Sequence, residues 1–137
     1  MRINTCRPAQ RGMTLIELLT VVAIVAILGT IALNSYRSSV LRSNRTEGTT
    51  TLLRIQAAQE KFYLNERAYS NSLTQLKIPA NTERGLYRIQ LSNVGAVTYT
   101  ATATATNGQA ADTECATLSI DETGNRTPSP ATTRCWR

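Results

Sequence analysis

The sequence predicts an α+β fold in which one long amino-terminal helix packs on a small antiparallel sheet. Three observations predict it. An apolar run near the start leads into an amphipathic stretch, three later segments alternate in polarity, and two cysteines lie near the carboxyl terminus. The chain has 137 residues, which suits a single domain.

The apolar run contains one ionisable residue, Glu17. Residues 18–33 carry no charge over 16 positions, and with residues 13–16 the segment approaches the ~20 residues that span a bilayer as a helix. A charge in such a segment costs roughly 2.5 to 3.5 kcal/mol on insertion scales and usually has a specific partner. Cleavage after Gly12 would supply one, because the new α-amine of Met13 lies four residues from Glu17, about one helical turn away.

These residues resemble the processing signal of a known family. Gly12 followed by Met13-Thr14-Leu15-Ile16-Glu17 is similar to the class III signal of type IV prepilins. The resemblance implies that prepilin peptidase cuts after Gly12 and methylates Met13, and that Glu17 sets the register between subunits by contacting an amine. The alternative is an uncleaved signal anchor. A conventional secretory signal fits worse, because its cleavage would remove the apolar run.

The resemblance also implies the organisation of the chain. Residues 1–12 form a cleaved leader, 13–34 a transmembrane or filament-core helix, and 35–137 a periplasmic or extracellular head. The head comprises a helix continuation over 35–65, a loop over 66–85, a sheet over 86–121 and a carboxy-terminal disulfide loop over 115–135. The leader holds three arginines, so processing lowers the net charge from +6 to +3 and weakens any inference from net charge to nucleic acid.

The helix continuation shows apolar residues at spacings of three and four, interrupted by a polar gap. The gap covers residues 42–51, and we interpret it as a solvated helix surface, with a soft joint as the alternative. The stripe consists of Tyr36, Val40, Leu41, Leu52, Ile55, Ala58 and Phe62.

Three segments alternate as strands do, at 86–92, 96–105 and 116–121. The middle segment has one face of alanines, suited to packing on the helix, and one of threonines, suited to solvent. Residues 94–96 and 106–108 connect the strands. The loop over 66–85 contains a candidate helical turn at 72–76, and its predicted anchors are Tyr69, Leu73, Leu76 and Ile78.

The three cysteines lie in two different parts of the chain. Cys6 leaves with the leader, and Cys115 and Cys135 remain as an even pair. A disulfide across about 20 residues stabilises by roughly 3 kcal/mol in the chain-entropy model and needs an oxidising compartment, which places this part outside the cytoplasm. Two free thiols or a metal pair are the alternatives, although the chain has no histidine to complete a metal site.

Composition argues against catalysis. Without histidine there is no Ser-His or Cys-His pair, and no phosphate-binding or dinucleotide motif appears. We therefore expect no enzyme activity, no cofactor, and no catalytic or metal-binding residue. We interpret Asp112, Glu114, Asp121 and Glu122 as solvated charges at turns or strand ends, with calcium ligation as the weaker alternative.

The resemblance implies a structural pilus subunit, and the end of the chain is most similar to small minor pilins of the PilE type. The implied partners are prepilin peptidase, other pilins, the inner membrane before assembly and the pilus assembly platform. The fibre would serve twitching motility, adhesion or DNA uptake.

Two alternatives stay within this class of protein. One is a DNA-binding minor pilin, because Trp136 lies among three arginines, a combination compatible with phosphate contact and base stacking: Arg126, Arg134 and Arg137. The other is a type II secretion pseudopilin.

Overall fold

The structure is a computed structural model that describes residues 12–128 and 134–136. The predicted leader, apart from Gly12, and Arg137 lie outside the described residues. The chain divides between Arg37 and Ser38 into two compact units. The elements, in order, are α1 (Leu15–Glu66), β1 (Tyr87–Ser92), β2 (Thr100–Ala105), two 3-10 helices (Asn107–Ala111 and Thr113–Cys115), β3 (Thr117–Asp121) and β4 (Arg126–Thr127).

Helix α1 confirms the predicted continuous helix, since it runs through Gly29 and through the polar gap without a break in its assignment. In the second unit one face of it is buried. That face does not consist of apolar residues alone: it is formed by Arg45, Gly48, Thr51, Leu52, Ile55 and Gln59. One face of the polar gap is therefore part of the packed surface, and for that face the interpretation as a solvated surface was wrong. Arg42, Ser43, Thr46 and Thr50 of the gap are exposed.

The sheet is a four-stranded antiparallel meander in the order β1-β2-β3-β4. Its inner face places Ile89 opposite Ala103, and Ala103 opposite Leu118. These side chains are at most 2% exposed and form the core with Leu52 and Ile55 of the helix. The alanine face of β2 is buried as predicted, whereas its threonines are only half-buried. The small alanines leave room for the larger residues on either side.

Two details of the sheet differ from the predictions. Strand β2 begins at Thr100 and not at residue 96, because residues 93–99 form the connection from β1. Strand β4 was not predicted. The candidate helical turn at 72–76 is confirmed, since Leu76 N–H donates to the Ser72 carbonyl at 3.3 Å and Ile78 N–H donates to the Leu73 carbonyl at 2.9 Å. The four predicted loop anchors do pack on the core: Tyr69, Leu73, Leu76 and Ile78.

Gly48 is required by the close approach of the sheet to the helix. A Cβ atom at this position would lie 3.1 Å from the Tyr87 ring, which is fully buried. We expect Gly48→Leu to lower the free energy of unfolding by about 1 to 3 kcal/mol through overpacking. Denaturant unfolding of the purified chain measures the change. Gly108→Leu is the control, because nothing lies within 4 Å of a Cβ there; equal losses in both variants would contradict the packing role.

Candidate functional site

The start of α1 is organised by a side-chain cap. The Thr14 hydroxyl accepts from Glu17 N–H at 3.3 Å, and Leu18 N–H donates to the Thr14 carbonyl at 3.2 Å. Thr14 and Glu17 have the spacing of a capping box, and a carboxylate in the first turn is stabilised by the helix dipole. The cap is thus made by the Thr14 hydroxyl to the backbone of Glu17, a local feature that we did not predict although the Thr-x-x-Glu spacing was a sufficient signal.

The segment that follows presents apolar side chains on every face. Thirteen large apolar residues between positions 13 and 33 are each 52% to 79% exposed. The hydroxyls of Thr20 and Thr30 donate to the helix carbonyls of Glu17 and Ile27 at 2.9 and 2.8 Å, which satisfies them without water. By length and composition α1 qualifies as a membrane span, with a mean hydropathy of 2.5 over the apolar window. Such a surface requires lipid or protein to cover it.

The second unit contains a buried ion pair between α1 and the segment after β2. The Arg45 guanidinium donates from Nε and Nη2 to the Asp112 carboxylate at 2.7 and 2.8 Å, and Asp112 is 4% exposed. Hydrogen bonding to Asp112 raises the pKa of Arg45 above its ordinary value, against the effect of burial. The interpretation of Asp112 as a solvated charge was wrong, because a residue 67 positions away supplies its counter-ion.

Two further groups complete this buried cluster. The Gln109 amide donates from Nε2 to Asp112 at 3.0 Å and to the Leu41 carbonyl at 3.1 Å. Arg45 Nη1 donates to the carbonyl of Arg134 at 3.1 Å, and Glu114 lies 3.6 Å from Arg45 Nη2. The cluster thus joins the helix to both ends of the carboxy-terminal loop.

The predicted disulfide is present between Cys115 and Cys135, with an Sγ–Sγ distance of 1.98 Å. Both cysteines are at most 3% exposed. Their chain neighbours Glu114 and Arg134 are the residues that approach Arg45. The covalent link and the ion pair therefore hold the same part of the loop against α1.

The structure brings together two of the four residues predicted to contact DNA. The Arg126 guanidinium lies 5.2 Å from the centroid of the Trp136 ring, a cation–π distance, and Trp136 Nε1 donates to the Thr127 carbonyl at 2.8 Å. Arg134 is exposed, and its described contact is through its backbone carbonyl. One face of the indole ring is thus occupied within the chain.

Asp121 closes the turn between β3 and β4. Its carboxylate accepts from Thr123 and Asn125, through both backbone and side-chain donors, at 2.7 to 3.1 Å. Burial alone would raise the pKa of Asp121, but these hydrogen bonds outweigh it and lower the pKa.

Within residues 12–128 and 134–136, no group of three acidic, cysteine or histidine side chains is placed to hold a metal ion.

Glu47 makes stability depend on pH. Its carboxylate accepts from Arg84 N–H at 3.1 Å and Arg84 Nε at 2.6 Å. Burial alone would raise the pKa of Glu47, but hydrogen bonds from Thr82 and Arg84 lower it from the ordinary 4.5. Because the pKa is lower in the folded state, the ionised carboxylate stabilises the protein above about pH 4.5, and this contribution disappears as pH falls through the lowered pKa.

We therefore expect Glu47→Gln to reduce the acid sensitivity of unfolding. The effect is under about 1 kcal/mol, because the Arg84 side chain is 60% exposed and solvent screens the pair. Denaturant unfolding across a series of pH values measures it. Asp121 leaves a dependence of the same sign in the variant, and identical pH profiles for the variant and the parent would contradict the role of Glu47.

Sequence comparisons match two regions of the chain. Residues 7–33 match the prokaryotic N-terminal methylation motif. Residues 34–119 match the family described as "Type IV minor pilin ComP, DNA uptake sequence receptor". The second match ends before Arg126 and the rest of the carboxy-terminal arginine cluster.

Two individual relatives are also type IV pilins, although both are major pilins and the matched family is a minor one. The chain is 36% identical over 90 residues to the type IV major pilin protein PilA of Myxococcus xanthus, covering 65% of this chain and 41% of the relative. It is 31% identical over 104 residues to the type IV major pilin protein PilE1 of Neisseria gonorrhoeae, covering 73% and 62%. The chain thus spans roughly two fifths to three fifths of the length of these relatives.

A solved structure has the same fold. A type IV pilin from Shewanella oneidensis superposes with a TM-score of 0.56 at 26% identity, over 71% of this chain and 98% of that one. With the methylation motif, the exposed apolar helix and the family match over 34–119, the chain belongs to the type IV pilin family.

Proposed function

We propose that the protein is a structural, minor subunit of a type IV pilus, incorporated through residues 13–34 of its helix. The observation that carries the proposal is the apolar surface that extends around the helix, thirteen large side chains each more than half exposed. Such a helix is stable in a bilayer and equally stable among similar helices, so it can leave the membrane for a filament core without exposing that surface to water.

Proteolytic processing would supply the charged partner that Glu17 lacks in the apolar helix. Prepilin peptidase removes residues 1–12 and methylates Met13, and the new amine becomes the partner of Glu17 in its own or a neighbouring subunit. The methylation motif over 7–33 supports this step. Glu17 is the one charged residue of residues 13–34. Pairing its carboxylate with the amine lowers the free energy of the assembled filament, because an unpaired charge among apolar helices is costly.

The remaining partners and the location follow from the same proposal. Before assembly the subunit lies in the bacterial inner membrane with its head, residues 35–137, in the periplasm. The assembly platform then transfers it, with other pilins, into an extracellular fibre. The Cys115–Cys135 disulfide supports a head outside the cytoplasm, since such bonds persist in oxidising compartments. Twitching motility and adhesion would be functions of the fibre.

The test is mass analysis of the intact protein from its native membrane, with and without prepilin peptidase. We expect a chain that begins at Met13, carries one added methyl group and lacks two hydrogens at Cys115 and Cys135. Without the peptidase the same chain should begin at Met1. A chain that begins at Met1 in both samples would overturn the proposed processing and leave a signal-anchored domain.

The minor role rests on the match to a minor-pilin family over residues 34–119. It is tested by the ratio of this chain to the most abundant pilin in purified fibres. A ratio far below one is expected, and a fibre built mainly of this chain would make it a major subunit.

DNA capture is the second candidate, because the matched family is described as a DNA uptake sequence receptor. Arg126 and Arg134 are the described cations of the predicted contact, and they would bind phosphates. Binding of duplex DNA by the full processed chain should weaken with salt, and Arg126→Gln with Arg134→Gln should reduce both affinity and salt dependence. Unchanged binding in that double variant would exclude this cluster.

A further inference from the structure

A groove lies between the loop after α1 and the end of β1, and no residue of the carboxy-terminal loop lines it. We call it the β1 groove. It is open to solvent and has a volume of about 590 Å³. It is lined by Asn71, Ser72, Leu73, Gln90, Leu91, Ser92 and Thr102.

The polar side chains of the β1 groove have unused hydrogen-bonding capacity. Among the described residues, no hydrogen bond is made by the side chains of four of them: Asn71, Ser72, Gln90 and Thr102. Two amides and two hydroxyls present both donors and acceptors. Leu73 and Leu91 add apolar surface, since both are half-buried against the core.

The loop that forms one wall of the groove is fixed by hydrogen bonds to a buried glutamine. Gln59 is fully buried, and its amide donates to the Ser70 carbonyl at 2.8 Å and accepts from Ser70 N–H at 2.9 Å. The Ser70 hydroxyl in turn contacts Gln75 Oε1 at 2.6 Å and accepts from Ser72 N–H at 3.0 Å. The backbone of this loop is thus fixed while its outer side chains remain unpaired, which lowers the entropy cost of binding a ligand.

The groove is also free of charge, since its seven lining residues are all neutral. An ionic ligand would meet no counter-ion among these residues. A neutral ligand rich in hydroxyl groups fits better, because each hydroxyl both donates and accepts, as the lining amides and hydroxyls do. We propose that the β1 groove binds a neutral oligosaccharide, which gives the head a ligand site separate from the arginine cluster.

An added peptide strand is the competing occupant, because β1 is an edge strand. Most of that edge is already covered: Ile89 N–H donates to the Ala80 carbonyl at 2.8 Å, and the Tyr87 carbonyl accepts from Thr82 N–H at 3.0 Å. Only the end of the strand, around Leu91, remains for pairing. This is too short for a strand to be held by backbone hydrogen bonds.

The experiment uses the full processed chain in detergent on a printed array of neutral oligosaccharides and their sialylated and sulfated counterparts. A blocked peptide with the sequence of residues 100–105 serves as the strand probe. We expect binding of neutral glycans that is unchanged by salt, because screening affects only charged pairs. Thr102→Ala and Gln90→Ala should each weaken the strongest neutral glycan by about 3- to 10-fold, the effect of one lost hydrogen bond.

Thr104→Ala is the matched control, since Thr104 lies on the same strand and face as Thr102 but does not line the groove. The Thr104→Ala variant should bind the same neutral glycan with the affinity of the parent chain. Binding of no neutral glycan, binding of charged glycans alone, binding of the peptide in place of glycans, or an equal loss in Thr104→Ala would each overturn the proposal. Because binding is measured on the isolated chain, failure here leaves pilus incorporation as a separate question.

Discussion

Arg45→Ala is expected to lower the free energy of unfolding by about 3 to 5 kcal/mol, the usual cost of removing one partner of a buried ion pair. Asp112 is 4% exposed, so the variant would leave its carboxylate buried without a cation. The carbonyl of Arg134 would lose its donor at the same time, which loosens the disulfide-closed loop. Denaturant unfolding of the processed chain in detergent measures the loss.

Two controls separate the charge from simple loss of packing. Arg45→Met combined with Asp112→Leu removes both charges and keeps the volume, so it should be much less destabilising than Arg45→Ala alone. Arg84→Ala breaks a pair whose cation is 60% exposed and should cost under about 1 kcal/mol. If Arg45→Ala lowered the free energy of unfolding no more than Arg84→Ala does, the buried pair would not be a major contribution to the stability of the head.

Glu17→Ala is expected to reduce incorporation into pili by tenfold or more while membrane insertion persists. In the proposed filament the variant leaves an amine unpaired among apolar helices, and an unpaired charge in such surroundings costs roughly 2.5 to 3.5 kcal/mol. The measurement compares the chain in sheared fibres with the chain in the membrane fraction. Normal incorporation would rule out an assembly role for Glu17.

A second variant separates the amine contact from any contribution of the Glu17 side chain to helix capping. Glu17→Gln keeps a side chain that can cap the helix together with Thr14 but removes the charge. If the amine contact drives assembly, Glu17→Gln should fail as Glu17→Ala does. Full incorporation of Glu17→Gln would show that helix capping is the role of this residue. Thr20→Ala is the matched control, because its hydroxyl bonds only to a helix carbonyl.

Much of the architecture could be predicted because it depends on local patterns. A run of apolar residues followed by spacings of three and four requires a helix whatever the rest of the chain does, and α1 ends at Glu66, one residue beyond the prediction. Alternation with period two predicted three strands for the same reason. Strand β4 was missed because two residues are too few to show a period, and they are strand residues only through their pairing with Ser119 and Ile120.

The sequence alone determined the apolar helix with its single carboxylate, the alternating strands and the pair of cysteines that form the disulfide, since each is a property of neighbouring residues or of a count. Only the tertiary structure decided which polar residues are buried. Arg45 lies in a polar stretch that resembles solvated helix, and it is buried because Asp112, 67 residues away, compensates its charge. Gln59 is likewise buried because Ser70 satisfies its amide. A polar side chain can leave water only when a partner replaces its hydrogen bonds, and that partner is brought near by the fold.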